Sequence, residues 1–293
     1  MGRELVKSQV SKSVLVTGSS SGIGKATAAW LANRGYKVWA TARRRESLAE
    51  LEGVGCRTLS LDVTDEASME AAVRTIEAED GAVGVLVNNA GYSQSGAIEA
   101  VPMERVRAQF ETNVFGVVRL AQLVLPKMRL QGWGRIINLS SMGGKLVFPG
   151  GGFYHATKYA VEAISDALRF EVRGFGVGVV LIEPGLIKSG FSEAAVAQMD
   201  PGKQKDDPYA TFHDAVARAT KESYEKGPLA RFTGVPDDVA KTIQKAIEAD
   251  RPKARYTVSG SAKILLTQRK LLSDRTWDRF LRSTFPSPGE TSA

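Results

Sequence analysis

The chain is poor in the residues that build disulfides and transition-metal sites. Among its 293 residues there are one cysteine, Cys56, and two histidines, His155 and His213. A single cysteine excludes an intrachain disulfide and is typical of proteins in a reducing compartment. No cluster of histidine, cysteine and carboxylate residues has the spacing of a zinc site, so we predict no bound metal. We interpret Cys56 as an unreactive thiol and His155 as a structural residue.

Long apolar runs are also absent. The longest runs have the length of a strand and polar flanks, so we expect no transmembrane segment. Residues 1–7 lack the apolar region of a signal peptide, and together with the single cysteine this predicts a cytoplasmic protein. The net charge is +7, but no nucleic-acid recognition motif accompanies it. We therefore expect no nucleic-acid partner.

A segment rich in glycine and serine follows the first apolar run. Residues 13–17 read as a short strand, and residues 25–32 read as a helix. A strand, a glycine turn and a helix form a phosphate cradle, because glycines permit close backbone approach and the helix N-terminus attracts the pyrophosphate of a dinucleotide. The alternative is an ordinary loop between two elements. The residues predicted to form the cradle are Gly18, Ser20, Ser21, Gly22, Ile23 and Gly24.

Three consecutive arginines, Arg43, Arg44 and Arg45, end the second predicted strand. Chains that bind NAD usually have an acidic residue here for the ribose 2′-hydroxyl, whereas an arginine accommodates the 2′-phosphate of NADP. No acid appears before Glu46, which favours NADP(H) as the cofactor. Arg43 is the first candidate for the phosphate and Arg44 the second. The alternative is a solvated basic turn at the start of a helix.

A tyrosine and a lysine, Tyr154 and Lys158, lie one helical turn apart, and Ser141 precedes the tyrosine by thirteen residues. A phenol with a pKa near ~10 is a poor acid–base catalyst at neutral pH. A lysine ammonium on the same helix face favours the phenolate. A serine hydroxyl aimed at the same point could hold a carbonyl oxygen. The thirteen-residue interval favours Ser141 over Ser140 for this role.

Polar or turn residues follow several other apolar runs. An Asn-Asn-Ala-Gly segment, residues 88–91, follows the run 83–87, and Asp62 follows the run 58–61. Ligands of open α/β sheets bind outside the carboxyl ends of the strands, so these positions are candidates for a binding site. Asp62 could equally be a turn residue at a strand end. Asn113 stands between apolar neighbours, where the alternative to a functional role is a buried structural asparagine.

These features together resemble the motifs of the short-chain dehydrogenase/reductase family, in both order and spacing. The resemblance is close over about residues 12 to 192, and the branch that the chain resembles most contains the 17β-hydroxysteroid and retinol dehydrogenases. The segments that carry it are Thr17-Gly18-x-x-x-Gly22-Ile23-Gly24, Asn88-Asn89-Ala90-Gly91, Asn113, Ser141, Tyr154-x-x-x-Lys158 and Pro184-Gly185.

The resemblance implies a fold and a reaction. The fold would be a single doubly wound (Rossmann) α/β domain with a mainly parallel seven-stranded sheet. The reaction would be an NADP(H)-dependent interconversion of a carbonyl and an alcohol. By resemblance Tyr154 protonates the developing alkoxide, Lys158 lowers the pKa of Tyr154 and binds the nicotinamide ribose, Ser141 steadies the carbonyl oxygen, and Asn113 anchors a water.

The resemblance also implies the remaining cofactor contacts and an assembly. Asp62 and Val63 would bracket the adenine, and a homodimer or homotetramer is expected. Ser189 replaces the more usual threonine next to the nicotinamide and retains the hydroxyl. The other residues implied to contact the cofactor are Asn89, Ala90, Gly91, Pro184, Gly185 and Ile187.

Two C-terminal regions are expected to contact the substrate or its surroundings. A lid at about residues 190–236 would cover the substrate. The extension at about 256–293 contains a predicted amphipathic basic helix, 263–281, that could contact a membrane surface, the substrate mouth or a second subunit. Apolar residues near the motifs suggest a medium to large apolar substrate, such as a steroid, retinoid or polyketide. They are Leu146, Val147, Phe148, Phe153, Leu186 and Phe191.

Two other functions are compatible with these motifs. A 3-oxoacyl-carrier-protein reductase would suit the positive charge, because its partner is acidic. A catalytically idle NADP-binding sensor or scaffold would need the cradle but not the complete Ser141, Tyr154 and Lys158.

Overall fold

Seven short apolar segments pair side by side in one parallel sheet. The computed structural model describes residues 10–199, 207–226 and 228–288. The strand order is β3-β2-β1-β4-β5-β6-β7, and every neighbouring pair is parallel, in agreement with the expected seven-stranded doubly wound sheet. The strands are β1 (Val14–Val16), β2 (Val38–Ala42), β3 (Arg57–Ser60), β4 (Val85–Asn88), β5 (Gly134–Leu139), β6 (Val177–Pro184) and β7 (Arg255–Val258).

Helices cover both faces of this sheet, as expected for parallel strands that are apolar throughout. They are α1 (Gly22–Ala32), α2 (Ala49–Gly53), α3 (Glu66–Asp80), α4 (Met103–Phe110), α5 (Gly116–Leu130), α6 (Gly152–Val172), α7 (Phe191–Ala197), α8 (Ala210–Glu225), α9 (Pro236–Glu248), α10 (Gly260–Leu271) and α11 (Asp274–Arg282). Short 3₁₀ turns occupy Arg45–Leu48, Met142–Gly144, Arg173–Phe175 and Ala230–Phe232, and a π-helical turn occupies Glu111–Phe115 between α4 and α5.

Alternate residues of each strand belong to opposite faces. Val14 and Val16 lie in one buried cluster with α1 and α9, whereas Leu15 lies in another with α3 and α5. The same alternation separates Val85 and Val87 from Leu86. Because successive side chains of a strand point to opposite faces, each apolar run contributes to both cores. The strand ends that carry the predicted polar motifs are thereby fixed along one edge.

The C-terminal extension forms two helices, so the prediction of one helix over 263–281 is wrong. The chain leaves the helical region at Leu272, with ψ of 137°, and Ser273 is extended, with ψ of 160°. Leu271 is 78% exposed, whereas Trp277 is 4% exposed. The break rotates α11 so that its tryptophan packs inward, which a continuous helix through these residues does not achieve.

The extension packs on its own chain. Ala262, Leu265 and Trp277 form a third buried cluster with Met142 and Leu146, next to the predicted catalytic serine. The tail therefore packs against its own chain beside this segment, and no residue of the tail in the described ranges lines the cleft outside the carboxyl ends of the strands. Residues 289–293 lie outside the described residues. Nothing in the described ranges of the chain is a helix both long and apolar enough to cross a bilayer.

The predicted lid contains two helices, α7 and α8, that follow β6. The turn-rich stretch 200–206 and Gly227, at which the sequence predicts a helix to end, lie outside the described residues. Ile187 and Gly234 form a parallel bridge that joins the start of the region to its end. The end of the lid is therefore tied back to the segment that follows β6.

We predict that Trp277→Ala weakens the attachment of the tail. Truncating a buried tryptophan typically costs about 3–5 kcal/mol. Trypsin cleavage at Arg275 and Arg279 should accelerate in this variant relative to the wild type. Leu271→Ala, at a side chain that is 78% exposed, serves as the control and should change the cleavage rate little. Equal cleavage rates for both variants would contradict the role of Trp277.

Candidate active site

A cleft of about 930 Å³ lies outside the carboxyl ends of the strands. It is centred where the strand order reverses between β1 and β4, which is the usual ligand position in a doubly wound sheet. Most predicted site residues line it. They are Gly18, Ser20, Ser21, Gly22, Ile23, Arg43, Asp62, Val63, Asn89, Ala90, Gly91, Ser141, Tyr154, Lys158, Pro184, Gly185, Ile187 and Ser189.

Three predicted residues, Gly24, Arg44 and Asn113, do not line the cleft. Gly24 lies in the first turn of α1, behind the cradle. Arg44 is exposed just before the 3₁₀ turn. Asn113 is buried in the π-helical turn and supports the cleft from behind. Their predicted contacts with ligand therefore remain predictions.

The glycine turn has the geometry of a phosphate cradle. Gly18 and Gly22 adopt positive φ angles of 68° and 55°, which residues with a Cβ rarely adopt. A Cβ on Gly24 would lie 2.3 Å from the Gly18 carbonyl oxygen and 2.4 Å from Asn89 Nδ2. These residues let the turn approach the start of α1 closely, so the backbone N–H groups of the helix face the cleft. The arrangement fits a dinucleotide pyrophosphate.

The cradle is tied to the central strand by a short hydrogen-bond network. Thr17 Oγ1 accepts from the backbone N–H groups of Asn89 and Ala90, both at 3.0 Å. Asn89 Nδ2 donates in return to the carbonyl oxygens of Thr17 and Gly18, at 2.9 and 3.1 Å. Neighbouring Asn88 donates to Asn138 Oδ1 at 2.9 Å. These hydrogen bonds join the ends of β1, β4 and β5, so the motif holds the centre of the sheet together.

The three arginines after β2 diverge. Arg43 lines the cleft and makes no ion pair with any residue in the described ranges. Arg45 instead turns to the protein surface, where it pairs with Glu52 at 3.4 Å and donates to Thr58 Oγ1 at 3.0 Å. Of the three, Arg43 has its guanidinium available to a ligand in the cleft.

Asp62 is a turn residue that also lies at the wall of the cleft. Its Oδ1 accepts from the backbone N–H and the hydroxyl of Thr64, at 2.9 and 2.8 Å, which closes a turn after β3. Asp62 and Val63 also line the cleft. The turn hydrogen bonds therefore position both residues at its wall.

Ser141, Tyr154 and Lys158 meet in the cleft. The Ser141 hydroxyl accepts from Gly143 N at 3.0 Å and lies near enough to the Tyr154 phenol to lower its pKa. Lys158 Nζ lies 5.8 Å from the centre of the Tyr154 ring and donates to the Leu139 carbonyl oxygen at 2.7 Å. Ser140 Oγ is instead buried, without a partner in the described structure. The geometry favours Ser141 over Ser140, as the sequence interval does.

Burial dominates the acid–base properties of this group. Desolvation raises the pKa of Tyr154 to about 12, and the Ser141 hydrogen bond acts in the opposite direction. Desolvation lowers the pKa of Lys158 to about 8, and the negative charge of Glu162 opposes that change. Burial of the phenol, and not the charge of Lys158, dominates the pKa of Tyr154, and the expected lowering by Lys158 stays a prediction.

The Asn113 side chain is fully occupied. Its Oδ1 accepts from Tyr92 N at 3.1 Å, and its Nδ2 donates to the Tyr92 carbonyl oxygen at 2.9 Å and to Thr157 Oγ1 at 3.1 Å. The side chain therefore links the chain after β4 to α6. Its role in holding a water stays a prediction.

The apolar residues expected around the substrate are mostly elsewhere. Of the six, only Phe191 lines the cleft, where its ring lies 5.4 Å from that of Tyr154. Leu146 and Leu186 belong instead to the third buried cluster with Trp277, because the C-terminal extension covers them. Val147 is 44% exposed. Sequence proximity to the motifs is a poor guide to which side chains face the substrate.

Sequence reasoning missed Tyr224, which lines the cleft from α8 in the lid. Burial raises the pKa of its phenol, and the charges of Tyr154 and Glu193 add to this effect. Its hydroxyl makes no hydrogen bond within the described residues. The helical pattern of 209–226 includes Tyr224 but does not reveal that it reaches the site.

His155 anchors the segment after the catalytic serine, as its structural interpretation suggests. Its Nδ1 lies 3.0 Å from the Gly143 carbonyl oxygen, and its Nε2 accepts from Phe148 N at 3.2 Å. These contacts require a neutral ring with the proton on Nδ1. Burial accordingly lowers the pKa of His155 to about 4.

Comparison with known proteins agrees with this geometry. A family model described as short chain dehydrogenase matches residues 12–200. The chain belongs to the short-chain dehydrogenase family. It is therefore an oxidoreductase of CH–OH and carbonyl groups, in a family that binds a nicotinamide cofactor.

Several members of the short-chain dehydrogenase family are similar over most of their length. A 3-ketodihydrosphingosine reductase of Bacteroides thetaiotaomicron is 36% identical, with 88% of this chain and 91% of the relative covered. An NADPH-dependent 3-dehydrocapnine reductase of Ornithobacterium rhinotracheale is 37% identical, with 90% and 94% covered. A crystal structure of a short-chain dehydrogenase from Streptomyces avermitilis is 33% identical, covers 94% of this chain and 99% of its own, and has a TM-score of 0.76.

We predict that His155 makes the protein acid-sensitive. The folded-state pKa of about 4 lies below the ordinary 6.5, so the unfolded chain binds the proton first as the pH falls. The free energy of unfolding should therefore decrease between pH 6.5 and pH 4, by up to about 3 kcal/mol from this residue. The free energy of unfolding, measured by urea denaturation across this pH range, should depend less steeply on pH in His155→Gln than in the wild type. Parallel curves would show that His155 is not responsible.

Proposed function

We propose that this protein reduces a ketone or aldehyde on an apolar substrate to an alcohol, with NADPH as the preferred cofactor. The observation that carries the proposal is the convergence of Ser141, Tyr154 and Lys158 in a cleft that also contains the glycine cradle. An idle cofactor-binding protein would not need this group. The direction of the reaction rests on the preference for NADPH inferred from Arg43.

Each of these side chains has a distinct task. Bound NADPH would supply the hydride. Ser141 and Tyr154, which line the same cleft, donate hydrogen bonds to the substrate oxygen, and Tyr154 transfers its proton as negative charge develops there. With its pKa raised by burial, the phenol of Tyr154 is protonated at neutral pH and so carries the proton to be transferred. Lys158 contributes a positive charge beside the phenol.

Cofactor selection is assigned to Arg43. Its guanidinium faces the cleft at the end of β2, where the adenosine ribose of a dinucleotide lies in doubly wound folds. An arginine can contact a 2′-phosphate with two parallel hydrogen bonds. One similar relative is described as NADPH-dependent, which is consistent with this assignment.

The substrate side of the cleft is aromatic and partly polar. Phe191 and Tyr224 come from the lid, and Gln198 adds an amide. Such a wall suits a carbonyl compound with an apolar body and a polar group close to the ketone. The two relatives named as reductases act, by their names, on 3-ketodihydrosphingosine and 3-dehydrocapnine, so long-chain ketones belong in the first substrate panel with steroids and retinoids.

We predict that Tyr154→Phe abolishes reduction and leaves cofactor binding intact. Loss of the proton donor should lower kcat by about 10²–10⁴-fold. The dissociation constant of NADPH, followed by nicotinamide fluorescence, should stay close to that of the wild type. Tyr159→Phe alters an exposed phenol on the same helix and is the matched control, with kcat unchanged. Turnover that survives in Tyr154→Phe would refute the assigned proton donor.

We predict that Arg43→Ala removes the preference for NADPH over NADH. Loss of a charge-assisted contact of about 1.5–3 kcal/mol should weaken NADPH binding by about 10- to 100-fold and leave NADH binding nearly unchanged. Arg45 is already paired with Glu52, so Arg45→Ala should leave the ratio of the NADPH and NADH dissociation constants unchanged. Arg44→Ala tests the second candidate. Equal binding of both cofactors to the wild type would remove the basis for reduction as the direction.

A further inference from the structure

A buried carboxylate lies one helical turn beyond the catalytic lysine. Glu162 follows Lys158 by four residues on α6, and its side chain is only 5% exposed. Residues spaced by four share one face of a helix. A buried carboxylate is costly unless it is paired and hydrogen-bonded. The proposed proton transfer does not use Glu162, so its burial beside Lys158 requires an explanation.

Two cations pair with Glu162. Lys145 Nζ and Arg255 Nε both lie 2.9 Å from its Oε2. Arg255 also contacts Asp166 at 2.6 Å and Glu183 at 3.4 Å. The other oxygen of Glu162 is buried without a partner among the described residues. Glu162 is thus the inner member of a charged cluster formed by α6, β6, β7 and the segment after Ser141.

The cluster contacts the catalytic segment through Gly144. A Cβ at this position would lie 2.9 Å from Glu162 Cγ and 3.2 Å from the Lys158 carbonyl oxygen. The missing side chain lets the turn after Ser141 pack directly on α6. The next residue, Lys145, then reaches Glu162. The carboxylate consequently ties the serine segment to the helix that carries Lys158.

Among the residues that the structure describes, no carboxylate accepts a hydrogen bond from Lys158. Its ammonium donates to the neutral Leu139 carbonyl oxygen at 2.7 Å. Burial disfavours the charged form of the lysine, whereas the charge of Glu162 favours it. The other charged groups that face Glu162 are Lys145, Arg255 and Glu183, with Asp166 one turn further along α6 and paired to Arg169 at 3.0 Å.

We propose that Glu162 is a positioning residue whose carboxylate keeps Lys158 charged and holds the Ser141 segment against α6. The effect of Glu162 on catalysis rests on the proposed function. The ionisation of Lys158, however, can be measured without turnover. A buried anion close to a buried cation offsets part of the desolvation of that cation. Lys145 weakens the effect of Glu162 on Lys158, because its ammonium pairs with the same carboxylate.

The test compares variants that should move the ionisation of Lys158 in opposite directions. Glu162→Gln removes the supporting anion, so the alkaline limb of kcat/KM for carbonyl reduction at saturating NADPH should move down by about one pH unit. In Lys145→Gln, Glu162 loses one of its two cationic partners, so its negative charge acts more strongly on Lys158. The pH midpoint of the alkaline limb should therefore move up. Asp166→Asn is the matched control, because it changes another carboxylate of α6 paired to Arg255 and should not move the limb.

A direct measurement separates this inference from the proposed function. In protein labelled with ¹³C at lysine Cε, the Lys158 resonance, assigned by its loss in Lys158→Arg, reports the ionisation with no substrate present. The midpoint of this NMR titration should move down in Glu162→Gln, move up in Lys145→Gln and stay in place in Asp166→Asn. If the wild type reduces no carbonyl, the proposed function fails and the NMR titration alone decides the inference.

A purely structural role for Glu162 predicts a different pattern. Glu162→Gln would then lower activity at every pH, and the pH midpoints of the alkaline limb and of the Lys158 NMR titration would stay the same. The proposal would be overturned if the midpoints of the alkaline limb and of the Lys158 NMR titration are unchanged in Glu162→Gln and Lys145→Gln. It would also be overturned if both variants shift these midpoints in the same direction. If Glu162→Gln does not fold, Lys145→Gln decides, because its lysine side chain is 37% exposed and tolerant of replacement.

Discussion

The buried ammonium of Lys158 is the constraint around which the site is arranged. A charge in this position is costly, and its neighbours are the groups that make it tolerable: the Leu139 carbonyl at 2.7 Å, the Tyr154 ring and, one turn away, Glu162. The helix α6 must therefore be held at a fixed depth against β5 and β6. Asn138 contributes by donating to Ser165 Oγ at 2.8 Å, across the same boundary.

The segment after Ser141 follows from the same helix. His155 binds it at Gly143 and Phe148, and Glu162 binds it at Lys145. Three consecutive turns of α6 thus carry Tyr154, Lys158 and the two residues that anchor this segment, His155 and Glu162. The C-terminal extension closes the outside of this segment through Trp277, whose ring lies 6.1 Å from that of Phe148. A tail remote in sequence thereby supports the segment that follows Ser141.

Much of the fold and most of the site could be predicted from local patterns. The glycine turn, the lysine one turn after the tyrosine, and the polar residues after apolar runs each have a short-range signal, and the structure brings nearly all of them to one cleft. The single helix predicted over 263–281 was wrong because helical periodicity does not show which face must meet the core. The apolar set around Leu146 and Leu186 was misassigned because the extension, and not the substrate, covers those side chains.

The sequence by itself determined the doubly wound seven-stranded fold, the glycine cradle and the candidates for the reacting groups, because those depend on residue types at short spacings. Only the tertiary structure decided which of the three arginines faces the cleft, that Tyr224 reaches it from the lid, and that Glu162 supports Lys158. These properties arise between segments far apart in the chain, such as α6 and β7. Burial and charge at such contacts depend on packing in three dimensions, for which a linear pattern carries no signal.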